Sequence, residues 1–412
     1  MDLAGKKIVL GLTGGVACYK AAELLRALGR AGARVQVVMT EAATHFITPV
    51  TMQALSGQPV YTDQWDGRVA NNMPHIDLTR DADAIVIAPC SADFLFKLAH
   101  GACDDLLSTL CVARPASLPL MLAPAMNVEM WQNPATQRNA RQVREDGILL
   151  LGPAAGEQAC GETGLGRMLE PEELLEEILA ALADKPLAGR KVLITAGPTF
   201  EPIDPVRGIT NLSSGKMGYA IARAARHAGA RVTLISGPVA LRAPAGVHRI
   251  NIQTAQQMHD AVMATVAGQD VFIAVAAVAD WRVANASQQK LKKQHGEAGP
   301  QLQFEQNPDI LASVAALPAP PYCVGFAAES EKLIEHGQAK RARKGVPLLV
   351  GNLGPATFGR DTNELVLFDE LGHVSLPAGE KQSLAVHLVA EIARRLAQAS
   401  PPYPAPQQQR TA

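Results

Sequence analysis

Two stretches of this chain repeat one pattern of apolar, small and polar residues. Apolar runs at residues 8–10 and 192–194 each lead into a glycine-containing turn that opens a helical segment. Both helical segments end at the same pentapeptide, Ala-Gly-Ala-Arg-Val, at residues 31–35 and 228–232. A strand, a glycine turn, a helix and a second strand make up a βαβ unit, so the pattern predicts one such unit in each half.

Longer apolar runs indicate how the strands are covered. Residues 84–88 and 271–278 contain no polar side chain, and further strands are predicted at residues 35–39 and 232–235. Such runs are typical of parallel strands with helices on both faces. The predicted fold class is therefore α/β, with two Rossmann-like open parallel-sheet domains whose ligands lie at the carboxyl ends of the strands.

The border between the two domains is marked by a change in pattern. An acidic amphipathic helix is predicted at Pro171–Leu182, followed by a short Asp-Lys-Pro segment. We therefore expect one domain over residues 1–184 and a second over residues 185–399. Residues 400–412 are rich in proline and glutamine, which predicts a disordered tail.

Composition narrows the possible functions. The chain has 38 basic and 39 acidic residues and a net charge of −1, which disfavours general binding of nucleic acid or anionic membrane. Its six cysteines include no CxxC pair and no zinc spacing. We see no signal-peptide pattern and no apolar run near the ~20 residues of a membrane span. We expect a cytoplasmic protein with free thiols that acts on small molecules.

The first glycine turn is a candidate phosphate loop. Thr13, Gly14 and Gly15 follow the first strand, and glycines allow close approach of a ligand to the free N–H groups of a helix start. The loop is not G-x-G-x-x-G, so a mononucleotide phosphate fits better than a dinucleotide. A tight turn without any ligand explains the same residues. A second small-residue turn, which contains Ser91, follows the strand at residues 84–88.

Three further residues carry candidate chemistry. Asn127 follows an apolar run and could bind a carboxylate through its amide, although such residues more often cap helices. Cys160 lies among five glycines, a composition typical of a mobile lid, and a thiol with a pKa near ~8.5 could donate a proton. His75 alone indicates nothing specific. Each residue also has a purely structural interpretation.

Together these motifs resemble the flavin-containing cysteine decarboxylases, and in order and spacing the phosphopantothenoylcysteine decarboxylases. The resemblance implies a flavodoxin-like domain in which FMN oxidises the cysteinyl thiol, CO₂ leaves, and the product is re-reduced. It implies that His75 assists the first step, that Asn127 holds the substrate carboxylate and that Cys160 protonates the intermediate. The FMN contacts that it implies are Thr13, Gly14, Gly15, Thr40 and Ser91.

The second half contains loops that suit anions. Residues 211–218 look like a P-loop, but Met217 replaces the required Ser or Thr and Thr210 replaces the first glycine. A Walker-type ATPase is therefore disfavoured, although the loop could still cradle a phosphate before a helix that is predicted to begin at Tyr219. A basic cluster at Lys290, Lys292 and Lys293 and a second one at residues 340–344 are either phosphate ligands or solvated surfaces.

Two more features were interpreted from local pattern. Asp280 ends a predicted buried strand, where α/β enzymes place ligand-binding groups. Asn307 and Pro308 have the pattern of an N-cap and first position of a helix.

The motifs of this half resemble those of the CTP-dependent bacterial phosphopantothenate–cysteine ligases. They run in family order from I-T-A-G-P-T at residue 194 to G-F-A-A-E at residue 325, through D-P-V-R, S-S-G-K-M-G, A-A-V-A-D, K-x-K-K and N-P-D-I. The resemblance implies an acyl-cytidylate stabilised by Asn211, and Mg²⁺ whose ligands the sequence does not name. The implied CTP contacts are Ala274, Val275, Ala276, Asp280, Lys290, Pro308, Asp309, Ile310, Leu311, Phe326, Lys340 and Lys344.

The chain departs from the ligase pattern at two places. Gly208 stands where the family usually has an aromatic residue. The family's A-N-D motif reads Gly351-Asn352-Leu353 here, so Leu353 replaces its aspartate. The two implied activities are consecutive, since the ligase makes the substrate of the decarboxylase. The resemblance also implies a homo-oligomer.

Three other interpretations compete with this one. The first is a peptidyl-cysteine decarboxylase with a regulatory second half, against which the complete nucleotide-binding motifs argue. The second is a two-domain NAD(P) oxidoreductase, disfavoured because G-x-G-x-x-G is missing. The third is a flavin-binding partner without catalysis, disfavoured by His75, Asn127 and Cys160.

Overall fold

A computed structural model describes residues 3–68, 73–292, 301–329, 331–353 and 359–399. The chain divides into two compact units, Met1–Leu182 and Ala183–Ala412. The tail predicted at residues 400–412 and Lys293 of the basic cluster lie outside the described residues.

The first unit is built on a five-stranded sheet in the order β2-β1-β3-β4-β5, and all its pairings are parallel. This is the flavodoxin-like strand order. Two further strands, β6 and β7, form an antiparallel pair. The strands are β1 Lys7–Leu12, β2 Arg34–Met39, β3 Ala84–Cys90, β4 Leu120–Pro124, β5 Leu149–Leu150, β6 Ala154–Glu157 and β7 Thr163–Arg167. The helices are α1 Cys18–Arg30, α2 Glu41–Thr44, α3 Pro49–Ser56, α4 Pro74–Arg80, α5 Ala92–His100, α6 Leu106–Ala113, α7 Val128–Gln132, α8 Pro134–Glu145 and α9 Pro171–Leu182.

Both faces of this sheet are buried, as the apolar runs predict. Ile8 and Leu10 of β1 point into a core formed with α1 and α9. Val9, between them, points to the opposite core, which α5, α6 and α8 complete. The alternation of side chains along a strand explains why β1 must be apolar at every position.

The second unit contains an eight-stranded sheet in the order β12-β11-β8-β13-β16-β17-β18-β19. The pairings from β12 to β17 are parallel, and the last two are antiparallel, so the predicted parallel sheet carries an antiparallel edge. The strands are β8 Lys191–Ala196, β9 Phe200–Pro202, β10 Gly208–Thr210, β11 Arg231–Ser236, β12 His248–Asn251, β13 Val271–Ala274, β14 Trp281–Val283, β15 Phe304–Gln306, β16 Tyr322–Glu329, β17 Leu348–Leu353, β18 Thr362–Asp369 and β19 Gly372–Glu380. The helices are α10 Lys216–His227, α11 Ala255–Thr265, α12 Ile310–Ala315, α13 Leu333–Lys344 and α14 Lys381–Ala399.

Helices again cover both faces. Ile194 and Ile273 belong to the core under α10 and α14, whereas Leu193 and Phe272 belong to the core under α11 and α12. This arrangement leaves the carboxyl ends of β8, β13 and β16 at one edge of the sheet, where the ligand-binding motifs of this half are found.

Three local predictions are wrong. The strand predicted at residues 271–278 ends at Ala274, because residues 275–277 leave the β16 ladder and bond instead to Thr195 of β8 and to Gly197 in the turn that follows. The helix expected from Tyr219 begins three residues earlier, at Lys216. The glycine-rich segment around Cys160 is not structureless, because β6 and β7 pair across it as a hairpin.

Candidate functional site

The turn after β1 is fixed by the buried hydroxyl of Thr13. Its Oγ1 donates a hydrogen bond to the Pro89 carbonyl at 2.8 Å and accepts one from the Ser91 backbone N–H at 2.9 Å. Thr13 is almost fully buried. Its side chain therefore ties the carboxyl end of β1 to that of β3 and shapes the predicted cofactor site.

The two glycines of this turn have different roles. A Cβ on Gly14 would lie 2.7 Å from the Cβ of Ala42, so Gly14 is required for packing against α2. A Cβ on Gly15 would meet only the ring of Pro89, at 4.0 Å. Gly15 therefore borders open space at the sheet edge, where a ligand can approach the backbone.

Two more predicted cofactor residues cap helices at the same sheet edge. The hydroxyl of Thr40, just after β2, accepts from the backbone N–H of Ala43 at 3.3 Å. The hydroxyl of Ser91, just after β3, accepts from the N–H of Phe94 at 3.2 Å and caps α5. The start of α5, the positive end of its dipole, thus lies beside the Thr13 turn, and these groups fit the phosphate of a mononucleotide.

Asn127 caps the short helix α7 and also contacts the hairpin. Its Oδ1 accepts from the backbone N–H of Met130 at 2.9 Å, which is the capping role. Its Nδ2 donates to Oε2 of Glu162 at 3.2 Å. The oxygen of the Asn127 amide is therefore used to cap α7, whereas the nitrogen donates to a carboxylate.

The β6–β7 hairpin docks on the segment before α7. The Met126 backbone N–H donates to the Gly166 carbonyl at 2.9 Å, and the Val128 N–H donates to Oε1 of Gln158 at 2.9 Å. A Cβ on Gly166 would lie 2.4 Å from the Met126 carbonyl oxygen, and one on Gly164 would lie 2.6 Å from Val128. These two glycines, which the sequence suggested to be flexible, are required because the hairpin approaches the segment around Met126 and Val128 closely.

Cys160 lies at the exposed tip of this hairpin. Its Sγ is 3.5 Å from Oε2 of Glu162 and 3.9 Å from Oε1 of Gln158, both in donor geometry. The thiol and the Asn127 amide therefore share one carboxylate oxygen. A cavity of about 310 Å³ opens beside them and is lined by Asn127 and Cys160 among others.

A buried cation forms part of the wall of this cavity. Lys20 is almost fully buried, and its Nζ donates to Oε1 of Glu170 at 2.8 Å and to the Met168 carbonyl at 3.4 Å. The hydrogen bond from Lys20 is the main reason that the pKa of Glu170 lies below its usual value, and burial partly opposes it. Lys20 and Glu170 therefore form a salt bridge in the cavity wall, and their opposite charges largely offset each other.

His75 is not brought to this cavity by the contacts of the first unit. It lies half-buried on α4, which packs against α6. Among the described residues, its ring makes no hydrogen bond or ion pair. The structure thus brings Asn127 and Cys160 together and places His75 elsewhere on the same unit.

Sequence reasoning missed Gln158, Glu162 and Lys20. The first two flank the Ala-Cys-Gly motif, so their proximity to Cys160 could have been anticipated. Lys20 gave no signal because a lysine in a helix normally indicates a solvated surface.

In the second unit, Asn211 contacts the loop that follows β13. Its Nδ2 donates to the Ala277 carbonyl at 2.9 Å. The buried Thr199 holds the same loop, because its Oγ1 accepts from the Ala279 backbone N–H at 3.0 Å. Ala274 ends β13, and the N–H groups of the next two predicted CTP residues, Val275 and Ala276, bond to the backbone and side chain of Thr195.

The loop ends at Asp280, which is bonded to the segment before α12. The buried Asn307 donates from its backbone N–H to the Asp280 carbonyl and from its side chain to the Ala279 carbonyl, both at 2.9 Å. The predicted N-cap is therefore wrong, because Asp309 caps α12 by accepting from the Ala312 N–H at 3.0 Å. Asn307 instead joins two segments of the predicted CTP site.

The predicted lysines of α13 are paired with acidic residues. Lys344 contacts the carboxylate of Asp309, and Nζ of Lys340 lies 3.4 Å from Oε1 of Glu329. Burial would raise the pKa of Asp309, but the hydrogen bonds from Lys344 and from the Ala312 backbone N–H, together with the charges of Lys344 and Arg343, outweigh it and the pKa is lowered. The remaining predicted CTP residues are close by: Pro308 precedes the cap, Ile310 and Leu311 open α12, and Phe326 is half-buried on β16.

Lys290 is exposed, and the segment that carries it is held by the D-P-V-R turn. The Asp204 carboxylate is buried and accepts from the Leu291 backbone N–H at 3.1 Å. Arg207 donates to the Leu291 carbonyl at 2.8 Å and pairs with Asp204. Both backbone groups of Leu291, the neighbour of Lys290, are thereby fixed.

Packing explains why glycine stands at positions 208 and 351, within the two segments that depart from the ligase pattern. A Cβ on Gly208 would lie 2.3 Å from the ring of Phe200, so no larger residue fits there. A Cβ on Gly351 would lie 2.8 Å from both Phe368 and Leu333. The structure gives no reason for leucine at position 353.

Within the described ranges, no group of three or more His, Cys, Asp or Glu residues is arranged to hold a metal ion. All six cysteines are free thiols, and burial raises the pKa of Cys18 and of Cys323 to about 11 each. No helix in the described part of the chain is long and apolar enough to cross a membrane.

Two family models match the chain, one on each half. A flavoprotein model matches residues 1–183, and the model for the C-terminal domain of DNA/pantothenate metabolism flavoproteins matches residues 187–396. Together they define a two-part flavoprotein.

Curated relatives match nearly the whole chain. The coenzyme A biosynthesis bifunctional protein of Vibrio cholerae is 49% identical, covering 95% of this chain and 99% of its own. That of Escherichia coli K12 is 46% identical, covering 96% of this chain and 98% of its own. A crystal structure of the C-terminal domain of such a bifunctional protein is 35% identical and covers 52% of this chain and 100% of its own, with a TM-score of 0.45.

The chain belongs to the family of coenzyme A biosynthesis bifunctional proteins, enzymes that pair a decarboxylase with a ligase. The family resemblance predicted from the motifs of both halves is thereby confirmed. The predicted α/β class with Rossmann-like domains is confirmed as well.

Proposed function

We propose that the two units catalyse consecutive reactions of coenzyme A biosynthesis. The second unit would join 4′-phosphopantothenate to cysteine at the expense of CTP, and the first would decarboxylate the product to 4′-phosphopantetheine. The observation that carries the proposal is the meeting of the Asn127 amide and the Cys160 thiol beside one cavity. A carboxylate-binding donor and a proton donor are the two groups that a cysteine decarboxylase needs from its protein.

In the first unit, FMN would bind at the carboxyl ends of β1, β2 and β3. The Thr13 turn, Gly15 and the capped start of α5 fit its phosphate, and Thr40 and Gly14 complete that edge. When bound, the flavin supplies reversible oxidation of the cysteinyl thiol. Asn127 would orient the carboxylate that leaves as CO₂, and Cys160 would give its proton to the enethiolate carbon.

His75 has a separate role in this proposal. It would assist substrate oxidation from α4, in an oligomer whose neighbouring subunit completes the site. The support is indirect: His75 is half-buried, and its ring has no partner among the described residues of its own unit. The proposed assembly is a homo-oligomer.

In the second unit, the phosphopantothenate carboxylate would attack the α-phosphate of CTP and displace pyrophosphate. The cysteine amine would then attack the acyl carbon, and CMP would leave with formation of the amide bond. Asn211 would stabilise the acyl-cytidylate next to the 275–280 loop, and Lys290, Lys340 and Lys344 would neutralise phosphate charge. Mg²⁺ would be held mainly by the phosphates and water, as is usual for this ion.

The acidic partners of the α13 lysines support a switch of contacts on CTP binding. Asp309 and Glu329 occupy Lys344 and Lys340 in the chain alone, and triphosphate oxygens would replace them. We place the enzyme in the cytoplasm, where its six free thiols would remain reduced.

A coupled assay tests the whole proposal. Purified protein is given 4′-phosphopantothenate, cysteine, CTP and Mg²⁺ while the visible spectrum is recorded and products are identified by mass. We expect a flavin spectrum together with CMP, pyrophosphate and phosphopantetheine. A flavin spectrum without CMP would refute the ligase half, and a colourless protein that makes CMP would refute the decarboxylase half.

A further inference from the structure

One carboxylate oxygen of the first unit is shared by two groups to which we assign catalytic roles. Oε2 of Glu162 accepts from Nδ2 of Asn127 at 3.2 Å and lies 3.5 Å from Sγ of Cys160. Asn127 caps α7 and Cys160 lies at the tip of the hairpin, so Glu162 links two residues that line the cavity from different elements.

We propose that Glu162 is a placeholder for the substrate carboxylate. The inference rests on the proposed function, in which the Asn127 amide binds the carboxylate that is later lost as CO₂. In the chain without substrate, that donor already holds a carboxylate, and it belongs to the protein. Substrate and Glu162 therefore compete for one amide group.

The carboxylates of Glu162 and of the substrate would repel each other if both bound the Asn127 amide. Two negative charges within a few ångströms of each other repel, and the two cations that line the cavity, Lys20 and Arg167, do little to offset the repulsion because both are paired with Glu170. Glu162 is exposed, so water can solvate its carboxylate once it leaves Asn127. Displacement of Glu162 by the substrate is the arrangement with the lower electrostatic cost.

The same displacement changes the surroundings of the thiol. In the chain alone, Sγ of Cys160 lies within donor reach of Glu162 and, at a longer distance, of Gln158. When Glu162 leaves, the thiol loses its shorter contact and becomes free to donate to the substrate. A ligand without a carboxylate would leave Glu162 on Asn127 and the thiol occupied, so Glu162 acts as a specificity residue for carboxylated ligands.

The experiment uses two unreactive ligands that differ only in the carboxylate. One is phosphopantothenoylserine, in which serine replaces the cysteine of the substrate. The other is its counterpart without a carboxylate, in which ethanolamine replaces the cysteamine of phosphopantetheine. Neither has a thiol for the flavin to oxidise. Their dissociation constants are measured by calorimetry on the flavin-loaded full chain. The variants are Glu162→Ala and Glu162→Gln, with Glu145→Gln at the end of α8 as a control of equal charge change.

We expect Glu162→Ala to bind the serine ligand about two- to fivefold more tightly than the wild type, the range of an exposed charged contact, and to bind the ethanolamine ligand as the wild type does. Glu162→Gln should lie between Glu162→Ala and the wild type, because its amide oxygen is a weaker acceptor than a carboxylate. Glu145→Gln should match the wild type with both ligands.

Two results would overturn the inference while leaving the proposed function intact. One is an equal change for both ligands in Glu162→Ala, which would indicate a structural role of the hairpin tip. The other is no change for either ligand. By contrast, a wild-type protein that binds neither ligand, or that does not prefer the serine ligand, would refute the decarboxylase site itself and the inference with it.

Discussion

The Asp204 carboxylate accepts a hydrogen bond from the backbone N–H of Leu291, 87 positions further along the chain, at 3.1 Å. Arg207 completes the clamp by donating to the Leu291 carbonyl at 2.8 Å. The D-P-V-R motif is therefore more than an anion-binding turn, because it fixes the backbone next to Lys290. A change in the turn should act on CTP use at a distance.

Asp204→Asn should lower CMP formation by about tenfold or more, since misplacing a phosphate ligand by about an ångström costs a large part of its effect. Decarboxylation of supplied phosphopantothenoylcysteine should be unchanged. The check is the initial rate of each half-reaction, with the exposed Asp260→Asn as the control. Equal loss of both activities would contradict the clamp and indicate general unfolding.

The same carboxylate should give the second unit a pH-dependent stability. The hydrogen bond from Arg207 is the main reason that the pKa of Asp204 lies well below its usual value, with burial opposing it and backbone N–H groups adding to it. A group with a lowered folded pKa stabilises the fold above its unfolded pKa, near ~4, and the contribution is lost as the pH falls below that value. Urea unfolding between pH 3 and 7 should show a smaller acid-side loss in Asp204→Asn.

Cys160→Ser should keep the bound flavin and still release CO₂, but form phosphopantetheine at least about 10²-fold more slowly, the usual size of a lost general acid. The exposed Cys103 in the same unit provides the control, and Cys103→Ser should behave as the wild type. Absorbance, CO₂ release and product mass are the measurements. Normal phosphopantetheine formation by Cys160→Ser would rule out its role as proton donor.

Lys290→Gln should weaken CTP use and spare decarboxylation. The side chain is exposed on a clamped segment, so its loss removes one positive charge from the phosphate site without disturbing a core. The KM for CTP should rise by about tenfold. Arg231→Gln, at the exposed start of β11, is the charge-matched control and should leave the KM unchanged.

Two glycine substitutions test the packing of the helices. In Gly337→Ala on α13, the new Cβ would lie 2.5 Å from two ring carbons of Phe368. Overpacking costs about 1–3 kcal/mol, which should exceed the ~1 kcal/mol gain in helix propensity. Gly29→Ala on α1 has no neighbour within 4 Å and should be neutral or stabilising by up to about 1 kcal/mol. Differential scanning calorimetry of both variants gives the comparison.

The sequence predicted the parallel sheets well, because a strand covered on both faces must be apolar at each position, as β1 and β3 are. The sequence-based prediction was wrong where the same residue type occurs in two different structural settings. Gly164 and Gly166 look like flexible residues, yet each is required by the close approach of Val128 or Met126. The small apolar residues at 275–278 look like strand, although their backbone bonds to the turn beside β8.

The candidate site was only partly predictable for a related reason. Cys160 and Asn127 were identified by motif, but nothing in their spacing indicates that Glu162 lies between them. Asn307 and Asp309 are both good capping residues, and only the fold decides which one caps α12. Contacts between side chains far apart in sequence depend on the assembled structure.

The hairpin of β6 and β7 has an anchored base and a tip, residues 158–162, that extends to the cavity. Its base is anchored to the protein by the Met126–Gly166 backbone bond and by two glycine contacts, whereas Gln158, Ala159 and Cys160 of the tip line the cavity. Substitutions in the tip therefore change the cavity lining without altering the anchored base. Substitution of these five residues, by evolution or by design, would change the ligand that such an enzyme accepts and leave the sheet unchanged.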